Sequence, residues 1–592
     1  MIPLLADGLL RQFAEAGVLT AADVHVALRL ARLGDEQREP VLLAAALAVR
    51  GVRAGSVCVE LATVADSVVP DEDAEPVELT WPEDWSPLAD SPVVAVGTEA
   101  PWRPLRLVDG LLYLDRYWQQ EQQVRRELDE RAARPAPPVD LAPLPTLFGG
   151  PAPDLQRLAT AVAAGRWVSV ITGGPGTGKT HTVARLLRLL LDQPGPPPRI
   201  ALAAPTGKAA ARLQESVLEQ AAAVGLPLDL TAQTLHRLLG WRPDSRSRFR
   251  HDAGNRLPFD IVVVDESSMV SLTLMARLLE ALPPTARLVL VGDPDQLTPV
   301  DAGAVLSDLV HRPAPVGEAD GVPVEAAADG AELDDEDRQQ LRNGVVRLRV
   351  SQRYGPTIAG VAEAVRTGDA DRVLELLAHG GDLLLEQSTT ALEEQVQLVA
   401  GEMRAAAETG DADRCLVLLG RHRLLCAHRH GAFGVSAWND RIGRLTGAAP
   451  GEWAPGLPLI VTANDYENKL WNGDTGVVVR TPDGPRAVFP RGAGPVLVPL
   501  SRLSAVSPAH ALTVHRSQGS QFEAVTVLLP HATSPLLTRE LLYTAVTRAS
   551  RSVRVVGSEE SVRAAVSRQV LRASGLRRVE TPERPRATSR HC

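Results

Sequence analysis

The sequence is almost without lysine. Of its 62 lysine and arginine residues only Lys179, Lys208 and Lys469 are lysine, which leaves 59 arginines. A composition that uses arginine wherever arginine will serve marks each remaining lysine as a candidate for a site that needs a compact ammonium. Cysteine is scarce as well. Cys58, Cys415, Cys426 and Cys592 form no CxxC pair and no set with zinc or iron–sulfur spacing. A disulfide framework is thereby excluded, and the thiols read as buried structural groups. Nor is there an excess of positive charge. A net charge of −10 excludes a protein that coats nucleic acid through overall charge, while leaving room for a local basic groove. No apolar run is long enough to span a bilayer. The opening MIPLLADGLLRQFAEAG carries acidic residues inside its apolar stretch, unlike a secretory leader. A cytoplasmic location is the expectation.

What is present points to several domains, since 592 residues exceed a single core. Residues 1–68 read as short helices, with Thr20 capping one that carries Asp23 in its first turn. A proline- and acid-rich stretch runs to about Pro104. Residues 105–133 read as a strand and a long charged helix, and 134–145 as a linker. From Arg166 the pattern changes. WVSVIT (167–172), RIALAA (199–204), DIVVVDE (260–266) and RLVLVGD (287–293) are short apolar runs suited to parallel strands covered on both faces. Helical segments between them predict a doubly wound α/β domain. The acidic segment 312–340 reads as a surface insertion without chemistry. A second α/β region follows, with strands expected at 416–420, 525–529 and 552–557. Within it, 457–503 reads as a small antiparallel barrel, on its β-rich runs and its Asn-Gly and Asp-Gly turns. The tail from 576 reads as disordered, and no fixed-period repeat is found.

GGPGTGKT (173–180) fits GxxxxGK[ST] after a predicted strand and before a predicted helix, the setting of a phosphate-binding loop. Glycines let backbone N–H groups curl around phosphate oxygens, and the helix N-terminus adds a favourable dipole. Lys179 is expected at the β/γ-phosphates of ATP and Thr180 on Mg²⁺. In VVVDESSM (262–269) a β-branched run delivers Asp265, which suits the Mg²⁺ shell. Glu266 beside it suits a group that orients and deprotonates the attacking water.

APTGKAA (204–210), TLHRLLG (234–240), GDPDQLTPV (292–300), SQRYG (351–355), LTVHRSQGSQF (512–522) and LLYTAVTRAS (541–550) follow in order. The set resembles that of superfamily 1 DNA helicases, and its wording resembles the RecD family, the alpha subunits of RecBCD-type exonucleases. LYLDRYWQQE (112–121) and GEWAPGLPLIVTANDYENKLWNGDTGV extend the resemblance over most of the chain. The resemblance implies an ATP-dependent 5′-to-3′ DNA helicase with two RecA-like domains, at 134–350 and 351–575. It also implies a mainly helical, partner-binding N-terminal domain over 1–133 and an SH3-like β-barrel insertion. Single-stranded DNA and RecB-like and RecC-like subunits are the implied partners. The implied nucleotide set is Gly173, Gly174, Pro175, Gly176, Thr177, Gly178, Lys179, Thr180 and His181, with Gln156 upstream reading the adenine edge. Gln296 would report the γ-phosphate, and Arg353 and Arg548 would reach it, since a guanidinium fork suits a phosphoryl group in transit. Thr206, Lys208, Thr234, His236, Thr513 and His515 would contact DNA.

Some readings stay open. His515 suits a core histidine equally, and Lys208 suits a carboxylate pair as well as a DNA phosphate. Residues 241–260 suit either a strand-separating pin or a plain loop. With 21 aromatics, no base-stacking residue stands out. No nuclease-like cluster is seen, so DNA degradation would belong to another subunit. A stand-alone RecD-like helicase and an ATP-switched DNA scaffold that does not translocate are the competing functions. The first is disfavoured by the short stretch before the phosphate loop, the second by Glu266, Arg353 and Arg548.

Overall fold

The four apolar runs around the phosphate loop lie side by side in a computed structural model. It describes residues 6–68, 79–149, 155–227, 229–242, 248–313, 333–447, 451–491, 494–570 and 572–578. Their sheet has six parallel strands in the order Val345–Leu348, Val168–Gly173, Arg287–Gly292, Ile261–Val264, Ile200–Ala204, Ala232–Thr234. Ile261–Val264 is buried throughout, as a strand with helices over both faces must be. A second parallel sheet has the order Leu383–Glu386, Ala549–Val556, Phe522–Leu528, His422–Cys426, Ala511–Thr513.

The strand expected at 416–420 is instead the end of a helix, Ala412–Arg421, and the strand begins at His422. Asp411 caps that helix by accepting from the Arg414 N–H at 2.9 Å. Its buried residues Cys415, Leu418 and Leu419 follow helical spacing, while Val417 is exposed. A short apolar run cannot be divided between helix and strand by periodicity alone.

The insertion after Pro458 is a five-stranded antiparallel sheet in the order Val496–Pro499, Gly484–Phe489, Thr475–Thr481, Pro458–Val461, Val506–Pro508. It reaches beyond 503, and its end strands have no pairing to each other among the described residues, so the expected barrel is seen as an open sheet. Met403, Ala407, Cys415, Leu418 and Leu419 cover one face, against Val477, Val479 and Val488.

The N-terminal region is less helical than expected. Beside the helices Gly8–Glu15, Ala21–Gly34, Glu39–Arg53 and Asp115–Ala132 stands a four-stranded sheet, Cys58–Glu60, Leu111–Leu114, Leu105–Val108, Val94–Val96. The single strand read before the long helix is a hairpin. Asp109 and Gly110 both take positive φ, 48° and 77°, as a two-residue hairpin turn requires. The Thr20 cap holds: Asp23 accepts from the Thr20 N–H and hydroxyl, each at 2.8 Å.

Two segments read as featureless carry structure. Of the acidic insertion, 314–332 lies outside the described residues. Its end forms the helix Asp335–Arg342, and Arg349 bonds Asp334 and Asp337 at its start. Of the tail, 579–592 lies outside the described residues. Residues 572–578 run back as a strap from the second parallel sheet's side to the N-terminal sheet. Ala573 O accepts from Val57 N at 2.9 Å. Buried Glu121 accepts from Gly575 N at 2.9 Å and from the Ser574 hydroxyl at 3.1 Å. Arg577 pairs with Asp308 at 2.7 Å, and Arg578 pairs with Glu60.

Cys58, Cys415 and Cys426 are free and buried. Among the described residues no helix is long and apolar enough to cross a membrane.

Candidate ATP and nucleic-acid site

Strand Val168–Gly173 ends in the phosphate loop, and helix Lys179–Leu191 leaves it with Gly178 as its cap. Gly176 and Gly178 have φ of 80° and 88°. A Cβ on Gly176 would strike the Arg353 side chain, and one on Gly178 the Gln156 amide. Conformation and space both demand glycine there. The Lys179 ammonium donates to the carbonyls of Gly173 at 2.6 Å and Gly174 at 3.0 Å, and the Thr177 hydroxyl to Gly174 O at 2.9 Å. Gln156 is no idle surface amide. Its Nε2 donates to Thr177 O at 3.1 Å, and its Oε1 lies 2.9 Å from His181 Nδ1. Thr180 stands in the first turn of the same helix.

Buried strand Ile261–Val264 delivers Asp265 and Glu266. Glu266 has φ of 50°, a left-handed conformation that costs a side-chain-bearing residue energy and recurs at functional sites. Its N–H donates to Asp265 Oδ1 at 2.9 Å. Burial and then the Glu266 charge push the Asp265 carboxyl up, with Lys179 opposing. A carboxylate held in that surrounding fits a divalent cation, which would restore its charged form.

The next strand, Arg287–Gly292, leads straight into Asp293 of GDPDQ. Gln296 Nε2 donates to Asp293 Oδ2 at 2.8 Å, and the Tyr543 hydroxyl donates to the same oxygen at 3.2 Å. Arg548, only 3% exposed, donates to Gln296 Oε1 at 3.0 Å and to Thr544 O at 3.0 Å. A residue bordering the second sheet thus bonds the glutamine of the first. Leu297 N to Thr544 Oγ1 at 3.0 Å and Gln518 Nε2 to Leu297 O at 3.2 Å close the same seam. Arg353 sits in the connection leaving the first sheet. Its neighbours bind the loop, Gln352 N to Gly176 O and Ser351 Oγ to Pro175 O, both at 2.9 Å. Its guanidinium reaches the Gln521 amide oxygen at 2.6 Å. Burial, then the charges of Arg548 and Arg212, push Arg353 down to about 10.

Arg212 escaped the sequence reading. It lies one helical turn after Lys208 in helix Gly207–Val224. Burial and the charge of Arg548 push it down, and Glu266 opposes them. In a chain of 59 arginines nothing marked it out.

The three candidate DNA threonines share one local role. Thr206, Thr234 and Thr513 each cap a helix through the side-chain oxygen, accepting from Ala209 N, Arg237 N and Arg516 N at 3.2, 3.2 and 3.3 Å. Thr234 and Thr513 go further. Each ends the edge strand of its own sheet, with φ/ψ of −73°/150° and −72°/150°. The pattern T-x-H-R-x-x-G recurs at 234–240 and 513–519, closing on Gly240 and Gly519 at φ of 71° and 70°. This echo was legible in the sequence but has no fixed period. His236 and His515 are both exposed, which removes the core-histidine reading of His515.

Lys208 has no carboxylate partner among the described residues. Its ammonium donates to Gly473 O at 2.8 Å and Ser520 Oγ at 2.6 Å, so it bridges the first parallel sheet to the insertion and the second. Burial and the nearby charges of Arg212, Arg423 and Arg548 push it down to about 7, with Asp474 opposing. Lys208→Ala is expected to lower the melting temperature and leave the salt dependence of single-strand binding unchanged. A log–log salt slope smaller by about 0.7 would return the ammonium to a phosphate. Of the pin segment, 243–247 lies outside the described residues. Trp241 and Phe249 pair antiparallel across it.

Comparison with known proteins comes to the same place. A profile for the N-terminal domain of RecBCD enzyme subunit RecD matches residues 15–113, one for an AAA domain 156–302, and one for a UvrD-like helicase C-terminal domain 508–556. The RecBCD enzyme subunit RecD of Mycolicibacterium smegmatis is 51% identical, over 96% of this chain and 98% of that protein. The chain belongs to the RecD family. The RecD subunit of Mycobacterium tuberculosis strain H37Rv is 49% identical, over 97% and 96% of the two chains. The ATP-dependent RecD2 DNA helicase of Deinococcus radiodurans is 33% identical over 69% of this chain, but the match spans only 49% of that protein. The RecD N-terminal profile also falls on the small sheet that the strap completes.

Proposed function

We propose that this RecD-family chain is an ATP-dependent 5′-to-3′ DNA helicase, working in the cytoplasm as a motor subunit beside RecB-like and RecC-like chains at double-strand DNA ends. The observation that carries the reading is Arg548 bonded to Gln296 across the seam of the two parallel sheets. A group that completes the ATP site from the second domain makes hydrolysis depend on closure, which a motor needs and a static scaffold does not.

In this reading ATP lies over the loop from Gly173 to Thr180, with His181 and Gln156 towards the adenine. Thr180 and Asp265 would hold Mg²⁺, which would supply positive charge beside the phosphates. Lys179 exchanges its carbonyl partners for phosphate oxygens. Glu266 orients the attacking water and takes its proton. Gln296 senses the γ-phosphate, and Arg353 and Arg548 stabilise the charge that spreads over it in transit. Residues 134–350 and 351–575 act as the two motor domains, with the antiparallel β insertion in the second and 1–133 facing the partners. Thr206, Thr234 and Thr513, with His236 and His515, hold the strand through its phosphates, which carry no sequence.

Direction is tested with forked substrates. A duplex with a single 5′ overhang is expected to open under ATP, and one with a 3′ overhang is not. The opposite preference would overturn the polarity. ATP turnover that ignores single-stranded DNA would favour the scaffold.

A further inference from the structure

The loop joining Pro458–Val461 to Thr475–Thr481 ends in a tip that is tied down by hydrogen bonds and yet exposes an aromatic ring. Asp465 and Leu470 exchange backbone hydrogen bonds of 2.8 and 2.9 Å, and Leu470 is buried. Between them, Asp465 accepts from Asn468 N at 3.0 Å and Asn468 Nδ2 at 2.8 Å. Arg491 ties the tip to the sheet through Lys469 O at 2.8 Å and Asp474 Oδ2 at 2.6 Å. Trp471, after the tip, lies flat on the first motor sheet's APTGKAA turn. A Cβ on Gly207 would stand 3.2 Å from three of its ring atoms, and Lys208 locks the same junction through Gly473. Tyr466 rests edge-on against Trp471, centroids 5.7 Å apart at 77°, and remains 73% exposed.

We infer that Tyr466, braced by Trp471, is a stacking platform for an unpaired nucleobase of the single strand. The inference rests on the function proposed above. Aromatics are few in this chain, and the edge contact with Trp471 leaves most of this ring in water, on a hydrogen-bonded tip near the Thr206 cap. A ring already held in place loses little freedom when a base settles on it. Lys469 on the same tip is one of the three lysines, but Glu467 beside it offsets the charge. Recognition through a ring face therefore suits the tip better than recognition through phosphate.

The test is equilibrium anisotropy of a labelled oligo-dT and of an abasic strand of equal length, with the full chain. Loss of one stacked base, worth about 1–3 kcal/mol, predicts that Tyr466→Ala weakens oligo-dT binding about tenfold. Tyr466→Phe should stay close to wild type. On the abasic strand wild type and Tyr466→Ala should bind alike. Wild-type affinity of Tyr466→Ala for oligo-dT, or an equal loss on both strands, would overturn the platform alone. A wild-type chain that binds no single strand would overturn the proposed function as well.

Discussion

Lys179→Gln is expected to abolish DNA-stimulated ATP turnover, with a fall of at least about two to three orders of magnitude in kcat. Removal of one preorganised donor from a site of developing charge has that scale of effect, and here the donor is also a full charge. The ammonium already lies within 2.6 and 3.0 Å of the Gly173 and Gly174 carbonyls, so it needs only a change of partner to reach a phosphate. Glutamine is shorter and neutral, and cannot offset charge building on the γ-phosphate. The loop would survive, because its shape comes from Gly176, Gly178 and the Thr177 hydroxyl on Gly174 O. Steady-state turnover and thermal melting decide the matter together. Wild-type turnover in the variant would remove the loop from the mechanism, and a collapsed melting curve would assign Lys179 a structural duty.

Arg548→Ala is expected to cut kcat by about a thousandfold, the lower end for an arginine finger, with little change in nucleotide Kd. The guanidinium reaches Gln296 only across the seam, so its service falls when the domains are closed on the transferring group. An interaction made chiefly in the transition state appears in kcat and not in ground-state affinity. The side chain is buried and also bonds Thr544 O, so alanine leaves Gln296 Oε1 without a partner in a closed space. Arg548→Lys keeps the charge and loses the fork, and separates the two effects. It should melt near wild type and still turn over slowly. Affinity and turnover falling in proportion would make Arg548 a ground-state contact.

What the sequence disclosed follows from how the information is laid out. The phosphate loop and the Asp265–Glu266 pair are runs of consecutive residues whose chemistry is local, and both stand where the motifs put them. Parallel strands covered on both faces read as plain apolar runs, and four were found within a residue or two. The residues around 416–420 failed because Leu-Val-Leu-Leu satisfies either period, and the cap at Asp411 that decides it lies outside the run. Lys208 was conspicuous by composition, but its partners Gly473 and Ser520 are 265 and 312 residues away. No local pattern carries such a distance. Arg212 was hidden for the reverse reason, since its type is common and only its neighbours give it meaning. The repeated T-x-H-R-x-x-G shows a third case, a signal present in the letters whose sense depends on two sheets using the same edge alike.

The strap of residues 572–578 bears on how the molecule is made. Ser56 and Ala573, which it brings into a hydrogen bond, are 517 residues apart. Contacts of such separation form late, because so much chain must be closed for each one. During synthesis the N-terminal sheet therefore lacks the partners that residues 573–575 give to Glu121 Oε2 and the Val57 N–H until both parallel sheets have been translated. A sheet translated before both parallel sheets is thus among the last parts of the described fold to gain all its contacts.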